Sequence, residues 1–119
     1  MPLSRRALIG TAAATTLPTL AARAQSTGNQ VIKLGVLNDM SGLYRDDGGP
    51  TGLLCAMQAV EEFASANGLK VEIVNADHQN KADIGAGIAR QWFDRDGVDI
   101  IVEVANSAVA LAVAGASTM

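Results

Sequence analysis

The sequence alternates between runs typical of strands and runs typical of helices, and this alternation limits the possible folds more than any other feature. Three runs rich in β-branched and aliphatic residues predict strands at residues 31–38, 70–75 and 98–104. Strands that alternate with helices form a parallel sheet with right-handed crossovers. We therefore expect an α/β fold in three layers, with a parallel sheet and the element order βαβαβα.

A helix is predicted after each strand. Apolar residues three or four positions apart over 51–66 indicate the first helix. The second is expected to run from Asn80, a candidate N-cap, to about Arg95. Asn106 is a candidate N-cap for a third helix that starts at Ser107. Since that helix has barely begun when the sequence ends, we expect residues 31–119 to be a truncated part of a longer protein.

Residues 1–24 have the features of a secretory signal. Arg5 and Arg6 form a basic start, and residues 7–20 are mildly apolar and contain no acidic residue. The signal ends in an A-x-A pattern whose last residue is Ala24. We therefore expect cleavage after Ala24 and a protein exported to the periplasm.

The mature chain is expected to begin at Gln25, with a flexible leader over residues 25–30. The paired arginines of the signal favour the twin-arginine route. Leu8 and Ile9, however, stand where that motif usually has Phe. The sequence therefore leaves twin-arginine and general secretory export both open.

Charge and hydropathy exclude several classes of function. From Gln25 onward there are six basic and twelve acidic residues, a net charge of −6. An acidic chain without a cluster of Lys and Arg argues against nucleic-acid binding. No run of about 18 strongly apolar residues predicts a membrane-spanning helix.

The few chemically reactive side chains do not form a catalytic pattern. Cys55 is the only cysteine and is expected to be a small buried apolar residue. Asp77 and His78 are neighbours, but one Asp and one His are too few ligands for a stable metal site. They also lack the nucleophile that a catalytic triad needs. We expect no cofactor, no metal and no enzymatic activity.

Ligands of open parallel sheets bind beyond the carboxyl ends of the strands, where the strand order reverses. If the first strand is central, with the second on one side and the third on the other, two loops face the ligand. These loops are residues 39–51 and 105–107. The loop after the second strand, with Asp77 and His78, would then stand further aside.

Several segments are similar to one family of binding proteins. Residues 32–42 (IKLGVLNDMSG), Tyr44, the run GGP at 48–50, and the long run from NADHQNKADIG to NSAVALAV over 75–113 resemble the branched-chain amino acid type of periplasmic binding protein. The resemblance implies the N-terminal part of the first lobe of a type I, leucine-binding-protein-like fold. It also implies a solute-binding component of an ABC importer, with permease subunits and the export machinery as partners.

The resemblance and the predicted loops together suggest the residues that contact the solute. They are Ser41 and Tyr44 after the first strand, and Ala105, Asn106 and Ser107 after the third. The expected solute is an amino acid or a related small carboxylate or amide, because backbone N–H groups at a helix start favour a carboxylate. The alternatives are a simple turn for Ser41, a surface aromatic for Tyr44, and a role only as N-cap for Asn106 or Ser107.

Three other interpretations of the sequence lead to different expectations. A dinucleotide-binding enzyme would need its glycine fingerprint directly after the strand, whereas nine residues separate Asn38 from Gly48. A ligand-sensing module of the same fold, acting in a receptor or regulator, remains the alternative to transport, since one fold serves both. Finally, a chain that holds only half of a cleft is expected to bind no solute measurably by itself.

Overall fold

The computed structural model describes residues 30–118, so the predicted signal and nearly all of the predicted leader lie outside the described residues. Three strands alternate with three helices in this order: β1 Val31–Asn38, α1 Gly49–Ala59, β2 Lys70–Asp77, α2 Ala82–Gln91, β3 Ile100–Val102 and α3 Ser107–Ala116. Helix α1 continues as a π-helical turn, Val60–Ala64, and a 3-10 turn, Ser65–Asn67, while α2 continues as a π-helical turn, Trp92–Asp96. The predicted βαβαβα order is confirmed. None of the helices within 30–118 is long and apolar enough to cross a membrane.

Strand β1 lies at the centre of the sheet, in the order β2-β1-β3. It pairs in parallel with β2 over its whole length, from Val31 opposite Lys70 to Asn38 opposite Asp77. It pairs in parallel with β3 over a shorter stretch, residues 34–36. The crossover from β1 to β2 and the crossover from β2 to β3 run in opposite directions across the sheet. Because both are right-handed, α1 and α2 lie on opposite faces of the sheet. The three layers and the assumed strand order are therefore confirmed.

The fully packed core lies on the face that α2 and α3 cover. Trp92 is only 7% exposed and belongs to this core, so the prediction that it packs within the lobe is confirmed. Trp92 is accommodated because Gly35, on the strand beneath, has no side chain: a Cβ atom there would lie 2.5 Å from Trp92 Cζ3. The other buried members of this core are Leu37, Ala89, Val98, Val109, Val113 and Ala116.

The α1 face of the sheet is covered much less completely. The residues of α1 that are buried are Gly49 and Gly52, whereas Met57 is 50% exposed. Phe63, in the following π-helical turn, is 66% exposed. Cys55 is exposed as well. The prediction of a buried Cys55 was wrong, because α1 meets the sheet through its glycines and Cys55 borders a groove that nothing in residues 30–118 fills.

Two strands differ in length from their predictions. Strand β2 runs two residues further than expected, because Ala76 and Asp77 still pair with β1. Strand β3 is shorter than the predicted 98–104. At its start the Asp99 side chain accepts a hydrogen bond from Lys33 N–H, at 2.7 Å. At its end Glu103 adopts a left-handed conformation, φ 65°, which turns the chain out of the sheet.

The second helix begins later than predicted, and the expected N-cap role of Asn80 was wrong. Gln79 and Asn80 both have left-handed backbone conformations, φ 52° and 55°, and so form a turn before the helix. Lys81 is the N-cap residue and makes no side-chain capping hydrogen bond. Asn80 uses its side chain elsewhere, as described below.

The contact between Gly35 and Trp92 predicts a large effect for a small substitution. Gly35→Ala should lower the free energy of unfolding by about 1–3 kcal/mol, because the new methyl group collides with a buried ring. The matched control is Gly87→Ala, at a helical glycine whose Cβ would meet nothing within 4 Å. That change should raise stability by up to about 1 kcal/mol through helix propensity. Urea unfolding followed by Trp92 fluorescence measures both, and equal effects of the two variants would contradict the packing argument.

Candidate functional site

The loop after β1 is organised by the carboxylate of Asp39, which is completely buried. Its Oδ1 accepts a hydrogen bond from Gly42 N–H at 2.6 Å, and its Oδ2 accepts one from Tyr44 N–H at 2.9 Å. A Cβ atom on Gly42 would lie 2.6 Å from Asp39 Oδ1, so the close approach requires glycine. The backbone positions of Ser41 and Tyr44 therefore follow from one buried acid.

Asp77, at the end of β2, holds the same loop from the other side. Its Oδ1 accepts hydrogen bonds from Met40 N–H at 2.9 Å and from Gln79 N–H at 2.8 Å. Its Oδ2 accepts a hydrogen bond from Ser41 Oγ at 2.5 Å. Because β2 extends to Asp77, this carboxylate reaches the loop after β1 and supports it. That the loop after β2 stands further from the ligand than the other two loops stays a prediction.

These hydrogen bonds stabilise the ionised form of Asp77. Burial by itself raises the pKa of the Asp77 carboxyl group, since it disfavours the charged form. The bonds from Ser41 Oγ and from the N–H groups of Met40 and Gln79, with a contribution from nearby His78, outweigh burial. The pKa of Asp77 therefore lies below its usual value, and the clamp on the loop is complete only while this carboxylate is charged.

Asn106 connects the start of α3 to the loop after β2. Its Oδ1 accepts a hydrogen bond from Val109 N–H at 3.0 Å, so the predicted N-cap is confirmed. Its Nδ2 donates to Asn80 Oδ1 at 2.5 Å. Both polar ends of the Asn106 side chain are thus used within the protein, and they fix the direction in which α3 begins.

Ser107 is the first residue of α3, and it is exposed. Within residues 30–118 its hydroxyl makes no hydrogen bond. The first N–H groups of a helix have no partner inside the helix. Here Val109 N–H is bound by the Asn106 side chain, and the first hydrogen bond of the helix itself joins Ala110 N–H to the Asn106 carbonyl. The N–H groups of Ser107 and Ala108 remain available, next to the Ser107 hydroxyl.

Asn38, the last residue of β1, joins the sheet to the first turn of α1. Its Nδ2 donates to the carbonyls of Gly48, at 3.0 Å, and Gly49, at 3.4 Å. Its Oδ1 is buried and has no hydrogen-bond partner within the described residues. A Cβ atom on Gly48 would lie 3.8 Å from the Cβ of Ala105. The loops that follow β1 and β3 therefore approach each other directly above the junction of these strands.

The five predicted site residues all lie at the carboxyl edge of the sheet, on the loops that follow β1 and β3. Ser41, Ala105 and Ser107 are exposed, Tyr44 is 38% exposed and Asn106 is half-buried. Ser107 makes no hydrogen bond to Ser41 or Tyr44 in the described chain. Within residues 30–118, side-chain hydrogen bonds link the two groups of residues through Asp77, Asn80 and the short loop after β2.

Sequence reasoning missed the residues that support this edge, Asn38, Asp39 and Asp77. Each stands at or directly after the end of a strand, where a polar side chain finds free backbone groups of the next loop. A polar residue at the end of a predicted strand is therefore the sequence signal that could have identified them.

The arrangement can bind a small polar or anionic group at the start of α3. Residues 30–118 contain no group of three or more His, Cys, Asp or Glu side chains that could hold a metal ion.

Comparison with known proteins identifies the family. The family model described as periplasmic binding protein matches residues 31–118, which is most of the chain. The chain therefore belongs to the periplasmic binding protein family, as the resemblance in its sequence predicted. A search of curated proteins gives no match.

Solved structures agree with this assignment. A periplasmic binding protein from Burkholderia mallei is 47% identical, with a TM-score of 0.67, and the match covers 73% of this chain and 24% of that one. The leucine-binding protein LivK from Thermotoga maritima is 27% identical, with a TM-score of 0.63 and coverage of 71% and 24%. LivJ from Streptococcus pneumoniae, in complex with isoleucine, is 24% identical, with a TM-score of 0.67 and coverage of 75% and 26%. The chain thus spans about a quarter of the length of these relatives.

The lowered pKa of Asp77 predicts how stability depends on pH. A carboxyl group whose pKa is lower in the folded state stabilises the fold above its unfolded pKa of about 4, and this contribution is lost as the pH falls through the folded pKa. Asp77→Asn should lower the free energy of unfolding by about 1 kcal/mol at neutral pH. The effect is small because the carboxylate is partly open to solvent. The variant should also lose less stability than the wild type when the pH is lowered.

Urea unfolding at neutral pH and below about pH 3 measures this difference. Asp46→Asn, in the exposed part of the loop after β1, is the matched control and should behave like the wild type. If Asp77→Asn retains the full acid dependence of the wild type, Asp77 is not the group that titrates.

Proposed function

We propose that this chain is part of the solute-binding component of an ABC importer, which captures an amino acid or a related small carboxylate or amide in the periplasm. The observation that carries the proposal is the start of α3, where two N–H groups and the Ser107 hydroxyl have no hydrogen-bond partner within residues 30–118. This start is fixed by the hydrogen bonds of Asn106 to Val109 and to Asn80. A rigid helix start with free donors favours a carboxylate.

Ser107 and the backbone of Ala105 and Asn106 form the anion-binding side of the proposed site. Ser41 and Tyr44 form the other side, on the loop that Asp39 and Asp77 hold in place. The Ser41 hydroxyl donates to Asp77, so it is left to act as an acceptor, for example for the ammonium group of an amino acid. The ring of Tyr44 offers an apolar surface beside these polar groups.

Relatives support the class of solute. The Thermotoga maritima relative is named as a leucine-binding protein. Two more distant proteins of the same fold hold isoleucine and 3,4-dihydroxybenzoic acid, and both molecules carry a carboxylate. Because these two are under 25% identical to the chain, they indicate what the fold can hold and do not select a solute for this protein.

Import is favoured over sensing by the same comparisons. Several of the similar structures are named as substrate-binding or solute-binding proteins of ABC transporters. In this role the partners are the permease subunits of the importer and, through the N-terminal signal, the export machinery. Binding without chemical conversion is expected, so the protein would be no enzyme and would need no cofactor.

The chain by itself should bind no solute measurably. It spans about a quarter of its relatives, so the proposed site would be open to solvent on the side where a second lobe closes over the ligand. Calorimetry of the 119-residue chain against a panel of amino acids and small organic acids tests this expectation. Submillimolar affinity for any member of the panel would contradict it.

A fusion protein tests the proposed site in a complete cleft. In the fusion, residues 31–118 replace the matching segment of the Burkholderia mallei relative, which is 47% identical. The fusion should bind at least one amino acid or small carboxylate. Ser107→Ala should weaken that binding about tenfold, or 1.4 kcal/mol, by removing one hydrogen bond to a charged group.

Ser117→Ala is the matched control, since Ser117 is an exposed serine at the opposite end of α3 and its hydroxyl donates to the carbonyl of Ala114. The affinity of the Ser117→Ala fusion for the solute should equal that of the unmodified fusion. The proposal fails if the fusion binds none of these solutes although the relative itself binds one, or if the two serine variants have the same affinity.

A further inference from the structure

His78 is the largest polar side chain that residues 30–118 bury completely, and the proposed solute site makes no direct use of it. Its Nδ1 accepts a hydrogen bond from Asn80 N–H at 3.0 Å, so the ring proton lies on Nε2. Nε2 is buried and has no hydrogen-bond partner within the described residues. Because residues 30–118 themselves enclose the ring, its burial does not depend on any other part of the protein.

Packing alone does not favour histidine at this position. An apolar side chain would fill the same space without burying an unpaired N–H group. The contact that requires a polar side chain is the one between Nδ1 and Asn80 N–H. A side-chain acceptor that binds the N–H group two residues further along the chain is the pattern of an Asx turn, made here by an imidazole. The role of His78 is therefore to hold the turn that follows it.

The turn that His78 holds contains two residues with strained backbones. Gln79 and Asn80 have φ angles of 52° and 55°, in the left-handed region that residues other than glycine rarely adopt. The N–H groups of the turn all bond to the end of β2: Gln79 N–H to Asp77 Oδ1, Asn80 N–H to His78 Nδ1 and Lys81 N–H to the His78 carbonyl. The His78 N–H group in turn donates to the carbonyl of Asn38, on the central strand. His78 thus anchors the turn to the sheet.

Asn80 connects this turn to the proposed solute site. Its Oδ1 accepts a hydrogen bond from Asn106 Nδ2, and Asn106 Oδ1 caps α3 through Val109 N–H. A side-chain amide has an acceptor at one end and donors at the other. The bond to Asn80 therefore determines which end of the Asn106 amide faces the helix, and with it the place of the unpaired donors at the start of α3.

We propose that His78 and Asn80 are positioning residues for the solute site. The imidazole of His78 fixes the strained turn, Asn80 orients the Asn106 amide, and this amide fixes the start of α3. The inference rests on the proposed function, since it gives the loop after β2 an influence on solute affinity without a contact to the solute. A change at a completely buried histidine is then expected to alter binding.

Two glycine substitutions separate the role of the Asn80 side chain from the relief of backbone strain. Both are made in the fusion with the Burkholderia mallei relative. Asn80→Gly relieves a left-handed conformation and removes the bond to Asn106, and it should weaken solute binding and speed hydrogen exchange of the Val109 amide, each about tenfold. Gln79→Gly is the matched control, because it relieves the neighbouring left-handed conformation at a side chain that is exposed in residues 30–118. It should change neither quantity.

Two substitutions of His78 distinguish positioning from a purely structural role. His78→Asn leaves a cavity but keeps an oxygen that can accept from Asn80 N–H, whereas His78→Leu fills more of the space and has no acceptor. If His78 only stabilised the lobe, the leucine variant would bind solute at least as well as the asparagine variant. Positioning predicts the reverse, with binding about tenfold weaker in His78→Leu and nearly unchanged in His78→Asn. Urea unfolding should show that the leucine variant is no less stable than the asparagine variant.

The exchange rate of the Val109 amide, measured by NMR, needs no solute and separates this inference from the proposed function. A fusion that binds none of the solutes contradicts the proposed function, and the exchange rates then test the chain of hydrogen bonds by themselves. Unchanged exchange in Asn80→Gly, equal effects of the two glycine variants, or tighter binding by His78→Leu than by His78→Asn would overturn the inference. Faster exchange and weaker binding in Asn80→Gly and His78→Leu, but not in the other two variants, is the supporting result.

Discussion

The structure depends on the central position of β1 in a parallel sheet. With neighbours on both sides, β1 is buried towards its carboxyl end, and the two right-handed crossovers place α1 and α2 on opposite faces. The same arrangement brings the ends of all three strands to one edge. The loops that leave this edge need other partners for their backbone N–H groups, because loop residues do not pair with a neighbouring strand.

Buried or hydrogen-bonded polar side chains at the strand ends meet this requirement. Asp39 binds two N–H groups of its own loop, Asp77 binds the same loop from the neighbouring strand, and Asn106 binds α3 and Asn80. The result is a set of three loops held to each other by side chains. Within residues 30–118 the Ser107 hydroxyl, at the start of α3, takes no part in these hydrogen bonds.

Most of the fold could be predicted from the sequence, because β-branched runs and helical periodicity are local patterns. The bounds of β1, the N-cap at Asn106 and the packing of Trp92 are of this kind. The errors concern contacts between distant residues: Asn80 bonds to Asn106 instead of capping α2, and Cys55 borders an open groove. For the candidate site, the sequence indicated the loops, but the supporting role of Asp77 depends on the register between β1 and β2, which no local pattern contains.

The two faces of the sheet differ in how strongly they are held. The face under α2 and α3 contains the tightly packed residues, including Trp92 and Val109, whereas α1 touches the sheet mainly through Gly49 and Gly52. Local opening costs less free energy where fewer buried contacts are lost, so within residues 30–118 we expect α1 to open more readily than α2 or α3.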